Sequence, residues 1–264
     1  MKKVVIVLIA FLLNACVSIS YQETHDQKSE MPHNNFNSAL WVQSASEYKA
    51  NSVQAYNIAT RNLGSAIALN RISASLEQTH GFENLPTAVV LDVDETVLDN
   101  SQYQVKLIKT QSGFTNEGWD EWVGLKSATA IPGAVDFIRS ARNKGVKVIF
   151  ITNRSCDKRP DSSLLCPQKI DTIDNLASVG IADVSPEDIL LKKERTDWGS
   201  EKNSRRAIIA EKYRIIMLFG DDLGDFLPHV KKNITPQQRD QLVSDNKEKW
   251  GVQWYMLANP AYGS

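Results

Sequence analysis

Short apolar runs rich in β-branched residues alternate with amphipathic helical segments from residue 86 onward. The first run is TAVVL (87–91), and VKVIFIT (146–152) and IIMLF (215–219) follow further along the chain. Runs of this kind are typical of strands that are buried on both faces, because the helices between them supply the covering layers. The pattern therefore predicts an α/β fold, a doubly wound and mainly parallel sheet with helices on both faces.

The N-terminal segment has the pattern of an export signal. Two lysines and then an apolar run occupy residues 1–13, and the run is too short to span a bilayer as a mature helix. The following LNAC (13–16) resembles a lipobox, although its asparagine replaces the small residue that usually stands there. We therefore predict a signal peptide over residues 1–15, lipidation of Cys16 and a flexible, polar tether over residues 16–37. A cleaved signal with an incidental cysteine is the alternative interpretation.

Lipidation of Cys16 would determine where the chain resides. The acyl chains of a bacterial lipoprotein hold it on a membrane while its folded body stays in water. Val17 follows the cysteine, so the aspartate of an inner-membrane retention signal is absent from that position. We therefore predict an outer-membrane lipoprotein whose folded body lies in the periplasm or at the cell surface.

The folded body is predicted to cover residues 38–264. Apolar and alanine residues at helical spacing predict one or two helices over residues 38–80, and residues 101–129 interrupt the alternation as a small helical cap. Lysine and arginine number 30 against 31 aspartate and glutamate, so the formal net charge is −1. A balance this even argues against a nucleic acid polymer as the main partner, because binding to its backbone needs a clustered basic surface.

Polar residues follow the predicted strands or begin the helices after them at four places. These are DVDET (92–96), Thr152-Asn153-Arg154, Lys202, and GDDLGD (220–225). In a doubly wound sheet, ligands bind beyond the carboxyl ends of the strands, so the four signals predict one site. Taken singly, each has an ordinary structural interpretation as a solvated turn, a helix cap or a surface lysine. Their joint order favours an active site.

The acidic residues of this set are typical of phosphoryl transfer. A phosphate monoester is a dianion, and it repels an anionic nucleophile until positive charge lies between the two. Asp92 and Asp221, with the main-chain carbonyl of Val93 or Asp94, offer the hard oxygen ligands that suit Mg²⁺. We predict that Asp92 then attacks phosphorus and forms an aspartyl-phosphate, while Asp94 protonates the leaving oxygen and later activates water.

The remaining signals complete the predicted phosphate site. Thr152, the neighbouring Asn153 and nearby backbone N–H groups are expected to hold the phosphoryl oxygens. Lys202 is expected to neutralise the extra negative charge of the transition state. Asp225 is expected to support the metal ligands without binding the metal itself.

Two further cysteines, Cys156 and Cys166, lie in the polar stretch after Thr152. Export would place them in an oxidising compartment, where a pair at this spacing can close a modest loop. We predict a disulfide with a stabilising role, and two free thiols are the alternative.

VVLDVDETVLDNSQY (89–103) and IIMLFGDDLGDF (215–226) together resemble the two-part signature of the class C acid phosphatases. These are lipoprotein-type bacterial 5′-nucleotidases of the haloacid dehalogenase (HAD) superfamily, and the similarity extends over about residues 38–262. The resemblance implies a HAD-like Rossmannoid fold with a small helical cap. It also implies a Mg²⁺-dependent phosphatase for nucleotides or aryl phosphates, with Asp92 and Asp94 in the roles given above.

The resemblance extends to the substrate's leaving group. It implies that aromatic residues sandwich a nucleotide base or an aryl group, and Trp119 and Tyr262 match those positions. Packing within the cap is the alternative role for Trp119. Asp222 stands where the family commonly has asparagine, which adds negative charge beside the predicted metal. A homodimer is left open.

Two other functions use the same residues. A phosphotransferase would pass the phosphoryl group to an alcohol, and a surface lipoprotein would bind a ligand on a phosphatase fold without catalysis. The complete set Asp92, Asp94, Thr152, Lys202 and Asp221 favours an enzyme, because proteins that have lost catalysis tend to lose the nucleophile. A dehalogenase is set aside, because Asp94 supplies an acid/base that dehalogenation does not use.

Overall fold

A parallel sheet of five strands lies at the centre of residues 33–262, the part of the chain that the structure, a computed structural model, describes. In chain order the strands are β1 (Thr87–Leu91), β2 (Leu98–Asp99), β3 (Thr129–Ala130), β4 (Lys147–Ser155), β5 (Ile189–Lys192), β6 (Arg214–Gly220) and β7 (Trp254–Met256). The central sheet has the order β5-β4-β1-β6-β7, and its neighbouring strands run parallel. The predicted α/β fold with a mainly parallel sheet is confirmed.

Eight α-helices connect and cover these strands within residues 33–262. They are α1 (Phe36–Ser44), α2 (Ser46–Ala68), α3 (Ser101–Lys109), α4 (Asn116–Leu125), α5 (Ala134–Asn143), α6 (Pro167–Ser178), α7 (Asn203–Ala210) and α8 (Pro236–Asp245). Two short 3₁₀ helices, Pro186–Asp188 and Leu223–Asp225, precede β5 and follow β6. None of the helices in the described range is both long and apolar enough to cross a membrane.

Both faces of the central sheet are buried. On one face, Val89 and Leu91 of β1 lie in a core that includes residues of α2 and α5. On the other, Ala88 and Val90 lie in a second core with residues of α7 and β7. Because successive side chains of a strand point to opposite faces, an uninterrupted apolar strand is stable only where both faces are covered.

The folded body begins slightly earlier than the predicted boundary at residue 38. Helix α1 starts at Phe36, and the amide of Asn35 donates a hydrogen bond to Gln104 in α3 (2.9 Å). These residues therefore contact the body, although the sequence analysis assigned them to the tether. The predicted signal peptide and Cys16 lie outside the described residues.

The second helix ends earlier than the predicted limit at residue 80. Helix α2 stops at Ala68, and residues 69–80 are irregular. In this stretch the backbone N–H of Ala74 donates to the carbonyl of Ile215 in β6 (2.8 Å). At the end of the helix, the carbonyls of Ile67 and Leu69 accept hydrogen bonds from the side chain of Arg214 in β6 (2.6 and 2.8 Å).

The predicted cap at residues 101–129 consists of α3 and α4. Strands β2 and β3 pair antiparallel and close its base. Tyr103 of α3 lies edge-on to Trp119, with ring centroids 5.1 Å apart, and its centroid is 6.2 Å from that of Trp122. The insertion thus has an aromatic cluster of its own beside the carboxyl ends of the strands.

Candidate active site

Three carboxylates converge at the carboxyl edge of the central sheet. Asp92 directly follows β1, Asp221 directly follows β6, and Asp225 ends the 3₁₀ helix after β6. One oxygen from each of the three lies within 4.8 Å of the others. Because β1 and β6 are adjacent in the sheet, two distant acidic motifs meet at one point. The structure thus brings together the acidic residues that the sequence analysis assigned to one site.

Lys202 joins two of these carboxylates. Its side chain is buried at the N-terminal end of α7, and its Nζ lies 2.6 Å from Asp92 and 2.5 Å from Asp225. Burial disfavours the charged ammonium, but the attraction of Asp225 and Asp92 outweighs it and raises the pKa of Lys202. The lysine therefore stays positively charged at neutral pH.

The carboxylates carry more negative charge than one lysine balances. Burial, with smaller contributions from Asp225 and Asp94, raises the pKa of Asp92 to about 6, although Lys202 opposes the shift. The pKa of Asp221 is raised well above its usual range, first by removal from water and then by repulsion from Asp225 and Asp92. A cluster of hard oxygen atoms that resists full ionisation is suited to a divalent cation.

The GDDLGD loop holds its acidic residues by close backbone packing. A Cβ on Gly220 would lie 2.1–2.4 Å from side-chain atoms of Asp225, so this position requires glycine. The Asp222 N–H donates to Asp225 (3.0 Å), and Asp222 in turn accepts a hydrogen bond from the Gly224 N–H (2.7 Å). Asp225 is therefore held by Lys202 on one oxygen and by the loop backbone on the other.

Asp94 is held by three donors from two other segments. Arg154, which is 1% exposed, donates from Nη2 and Nε to Oδ1 (2.8 and 3.0 Å) and from Nε to Oδ2 (3.2 Å). Asn100 donates to Oδ1 (3.0 Å), and the Thr152 hydroxyl donates to Oδ2 (3.2 Å). No role was predicted for Arg154 or Asn100 from the sequence. Arg154 was part of the polar signal at the end of β4, and its position beside Thr152 and Asn153 could have indicated a role in the site.

The predicted phosphate-binding residue Asn153 makes contacts inside the protein. Its amide donates to the carbonyl of Ser200 (3.1 Å), and its oxygen accepts from Arg205 (2.7 Å). Arg205 is fully buried and also donates to the carbonyl of Thr152 (2.6 Å). It therefore stabilises the backbone and side chain of the Thr152-Asn153 segment. Arg205 was not predicted, and phosphate binding by Asn153 stays a prediction.

A cavity of about 780 Å³, here called the cap cavity, lies between the cap and the ends of β4 and β5. Trp119 and Asp120 of α4 line it on the cap side, and Asn153 and Arg154 line it on the sheet side. Tyr262 is 41% exposed and is not among the described residues that line this cavity. Trp119 thus lines the cavity, and its contact with a leaving group and the sandwich with Tyr262 both stay predictions.

The two cysteines after β4 are joined. Cys156 and Cys166 form a disulfide with their Cα atoms 4.7 Å apart, as the sequence analysis predicted. Within the loop that it closes, Arg159 lies 2.7 Å from Asp120 on the cap and 2.6 Å from Asp171 on α6. The loop therefore connects the cap to the body along one wall of the cap cavity.

Fold and site together define a class: a doubly wound α/β protein with an acidic, lysine-containing site at the strand ends and a helical cap above it. The chain belongs to the acid phosphatase family of the HAD superfamily, subfamily IIIB, whose family model matches residues 13–264. The HAD assignment made from the sequence is therefore confirmed.

Solved structures give the same relationship. The class C acid phosphatase from Bacillus anthracis is 33% identical to this chain, with a TM-score of 0.70 over 86% of this chain and 84% of that chain. A crystal structure of the same enzyme with tungstate bound matches with the same values.

Plant proteins are more distant relatives. Acid phosphatase 1 of Solanum lycopersicum is 28% identical over 144 residues, which is 52% of this chain and 51% of that protein. The stem 28 kDa glycoprotein of Glycine max is 27% identical over 143 residues, which is 52% of each. The chain spans about half the length of these curated relatives.

Proposed function

We propose that this protein hydrolyses phosphate monoesters at the carboxyl edge of its central sheet, with Asp92 as nucleophile and Mg²⁺ as cofactor. The observation that carries the proposal is the buried cluster in which Lys202 contacts Asp92 and Asp225 beside Asp221. Kinship with acid phosphatases supports the same activity. Tungstate is a tetrahedral oxyanion like phosphate, so the tungstate bound by the Bacillus anthracis relative also supports it.

The donor set fits a hard divalent cation. Asp92, Asp221 and the main-chain carbonyl of Asp94 would hold it, because carboxylate and carbonyl oxygens are the ligands that Mg²⁺ prefers. Burial and mutual repulsion raise the pKa of both Asp92 and Asp221, so a bound cation would relieve charge that Lys202 does not balance. When bound, the cation supplies the positive charge that lets a phosphate dianion approach an aspartate.

The protein's own residues divide the remaining work. The Asp92 carboxylate attacks phosphorus, the ester P–O bond breaks, and Asp94 gives a proton to the leaving oxygen. Asp94 then takes a proton from the water that hydrolyses the aspartyl-phosphate. Lys202, 2.6 Å from Asp92, stabilises the negative charge that develops on the phosphoryl group. Arg154 orients Asp94 for both proton transfers.

Nucleotides and aryl phosphates are the proposed substrates. The cap cavity adjoins Arg154 and therefore the proposed acid/base, and Trp119 offers an aromatic surface there. Stacking of a base on an aromatic side chain contributes about 1–3 kcal/mol. A flat leaving group is therefore expected to bind better than an aliphatic one such as glycerol.

We also propose that the protein is exported and anchored by lipid on Cys16, with its folded body outside the cytoplasm. The order of lysines, apolar run and LNAC supports this proposal. Cys16→Ser should move the protein from the membrane fraction to the soluble fraction and abolish labelling by a fatty-acid precursor. Unchanged fractionation of this variant, with no label in the wild type, would contradict the anchor.

Turnover of p-nitrophenyl phosphate tests the activity. We expect EDTA to abolish turnover, Mg²⁺ to restore it, and Asp92→Asn to be inactive with an unchanged fold. Asp136→Asn is the matched control, because this carboxylate is exposed on α5 and outside the site. Full activity after exhaustive chelation would contradict the cofactor, and near-normal activity of Asp92→Asn would contradict the nucleophile. Inactive wild-type protein would favour the non-catalytic lipoprotein.

A further inference from the structure

We propose that the cap cavity contains a second anion subsite, centred on Lys192. It would select phosphate monoesters whose leaving group carries a further anionic group, such as a carboxylate or a second phosphate. The proposal rests on the proposed phosphatase function, because it concerns the leaving group of that reaction. It assigns a role to a lysine that the mechanism above does not use.

The position of Lys192 follows from the order of the strands. Lys192 ends β5 and pairs with Ser155 of β4, directly after Arg154. Strand β5 lies two strands from β1, and adjacent strands are about 4.8 Å apart. Ile189 is level with the end of β1, and Lys192 lies three residues further along, so Lys192 is roughly 14 Å from the end of β1, which precedes Asp92. The cap cavity is lined by both Arg154 and Lys192. A leaving group that extends from the site into the cavity would therefore bring its far end towards Lys192.

The ammonium group of Lys192 lacks a counter-charge. It forms no salt bridge with any residue in the described range, whereas its neighbour Lys193 lies 3.0 Å from Asp157. Burial and then repulsion from Lys193 lower the pKa of Lys192, and the attraction of Asp157 does not offset them. This half-buried cation thus lies in positive surroundings, which a bound anion would neutralise.

The other charged residues around the cavity are less suited to hold a ligand. Arg154 and Arg159 are each committed to a carboxylate of the protein. Asp120 is the carboxylate that Arg159 contacts. Apart from Lys192 and Lys193, the remaining charged residues that line the cavity are exposed, so water and salt screen their effect on an anion; they are Glu117, Glu121, Asp157, Lys158 and Asp161. Lys192 is half-buried, so water and salt screen its charge less than they screen the exposed charges of the cavity. A ligand in the cavity would therefore interact most strongly with Lys192.

The test compares two aryl esters of similar shape, 4-carboxyphenyl phosphate and 4-carbamoylphenyl phosphate, which carries a neutral carbamoyl group in place of the carboxylate. In Lys192→Gln we expect kcat/KM for the carboxylate to fall about tenfold, because a hydrogen bond to a charged group is lost, and that for the carbamoyl ester to stay within about twofold. Lys192→Arg should retain the preference. Lys193→Gln is the matched control, since Asp157 already binds its ammonium. Equal losses on both esters, or no loss on either, would overturn the proposal.

A binding measurement separates failure of the subsite from failure of the proposed function. Calorimetry with 4-(phosphonomethyl)benzoate and 4-(phosphonomethyl)benzamide in the presence of Mg²⁺ requires no turnover. Tighter binding of the benzoate by the wild type, lost in Lys192→Gln, supports the subsite even if neither ester is hydrolysed. Equal affinities, or binding of neither compound, refute it even if both esters are hydrolysed.

Discussion

Replacing Arg154 with methionine should impair protonation of the leaving group more than attack on phosphorus. Arg154 donates three hydrogen bonds to Asp94, the proposed acid/base, at 2.8–3.2 Å. Asn100 and Thr152 still contact Asp94 in the variant, so the carboxylate is displaced and not released. A displacement of about 1 Å can lower the rate by roughly 100-fold, which corresponds to about 3 kcal/mol in the transition state.

The choice of ester tests this reasoning about Arg154. An alkyl phosphate needs its leaving oxygen protonated, whereas p-nitrophenolate leaves readily without a proton. We expect kcat/KM, which reports formation of the aspartyl-phosphate, to fall by roughly 100-fold for the alkyl ester in Arg154→Met, with a much smaller fall for p-nitrophenyl phosphate. The value of kcat should fall for both esters, because Asp94 also activates the water that hydrolyses the common aspartyl-phosphate. Arg214→Met is the control for stability, because this buried arginine bonds to carbonyls at the end of α2, away from the site. Equal losses of kcat/KM on both esters would mean that Arg154 supports the fold and does not position Asp94.

Three further substitutions or conditions probe the site. Asp221→Asn should weaken Mg²⁺ binding measured by calorimetry, with activity partly restored at high Mg²⁺, because one anionic ligand is lost; unchanged affinity would exclude Asp221 as a ligand. Because the pKa of Asp92 is about 6 in the folded protein, protons should compete with Mg²⁺ as the pH falls through 6. Without metal, the free energy of unfolding of the wild type should rise relative to that of Asp92→Asn when the pH is lowered from 7 to 5. The reason is that Asp92 takes up a proton in the folded state at a higher pH than in the unfolded chain. A fall in this relative free energy would refute the raised pKa. Trp119→Ala should lower kcat/KM for a 5′-nucleotide about tenfold and leave that for glycerol phosphate almost unchanged; equal losses would assign Trp119 to cap packing.

The fold and the acidic part of the site could be predicted because they depend on short-range patterns. Strands β1 and β6 are apolar after their first residues, Thr87 and Arg214, and an aspartate, Asp92 or Asp221, directly follows each strand. In a parallel sheet the carboxyl ends of all strands lie at one edge, so no knowledge of the strand order is needed to bring these residues together. The carboxylates were therefore predictable from sequence alone.

The partners of the carboxylates were harder to predict because they depend on the strand order and the cap. Arg154 reaches Asp94 because β4 lies beside β1, and Asn100 reaches it because the chain turns into the cap directly after β2. In sequence, a buried arginine has the same appearance as a solvated one. The early end of α2 was missed for a related reason, since Ala74 bonds to the distant strand β6.

The negative charge of Asp222, at a position where the resemblance implied asparagine, is compensated elsewhere in the structure. The carboxylate of Asp222 lies 3.2 Å from the ammonium of Lys231. This positive charge offsets the negative charge that Asp222 has and asparagine lacks. Gly224 makes this approach feasible, because a Cβ there would lie 2.9 Å from Cε of Lys231. The substitution Asp222→Asn alone would leave Lys231 without this counter-charge, so it is not expected to be neutral. The negative charge of Asp222 therefore has to be considered together with Lys231, and the pair adds little net charge beside Asp221.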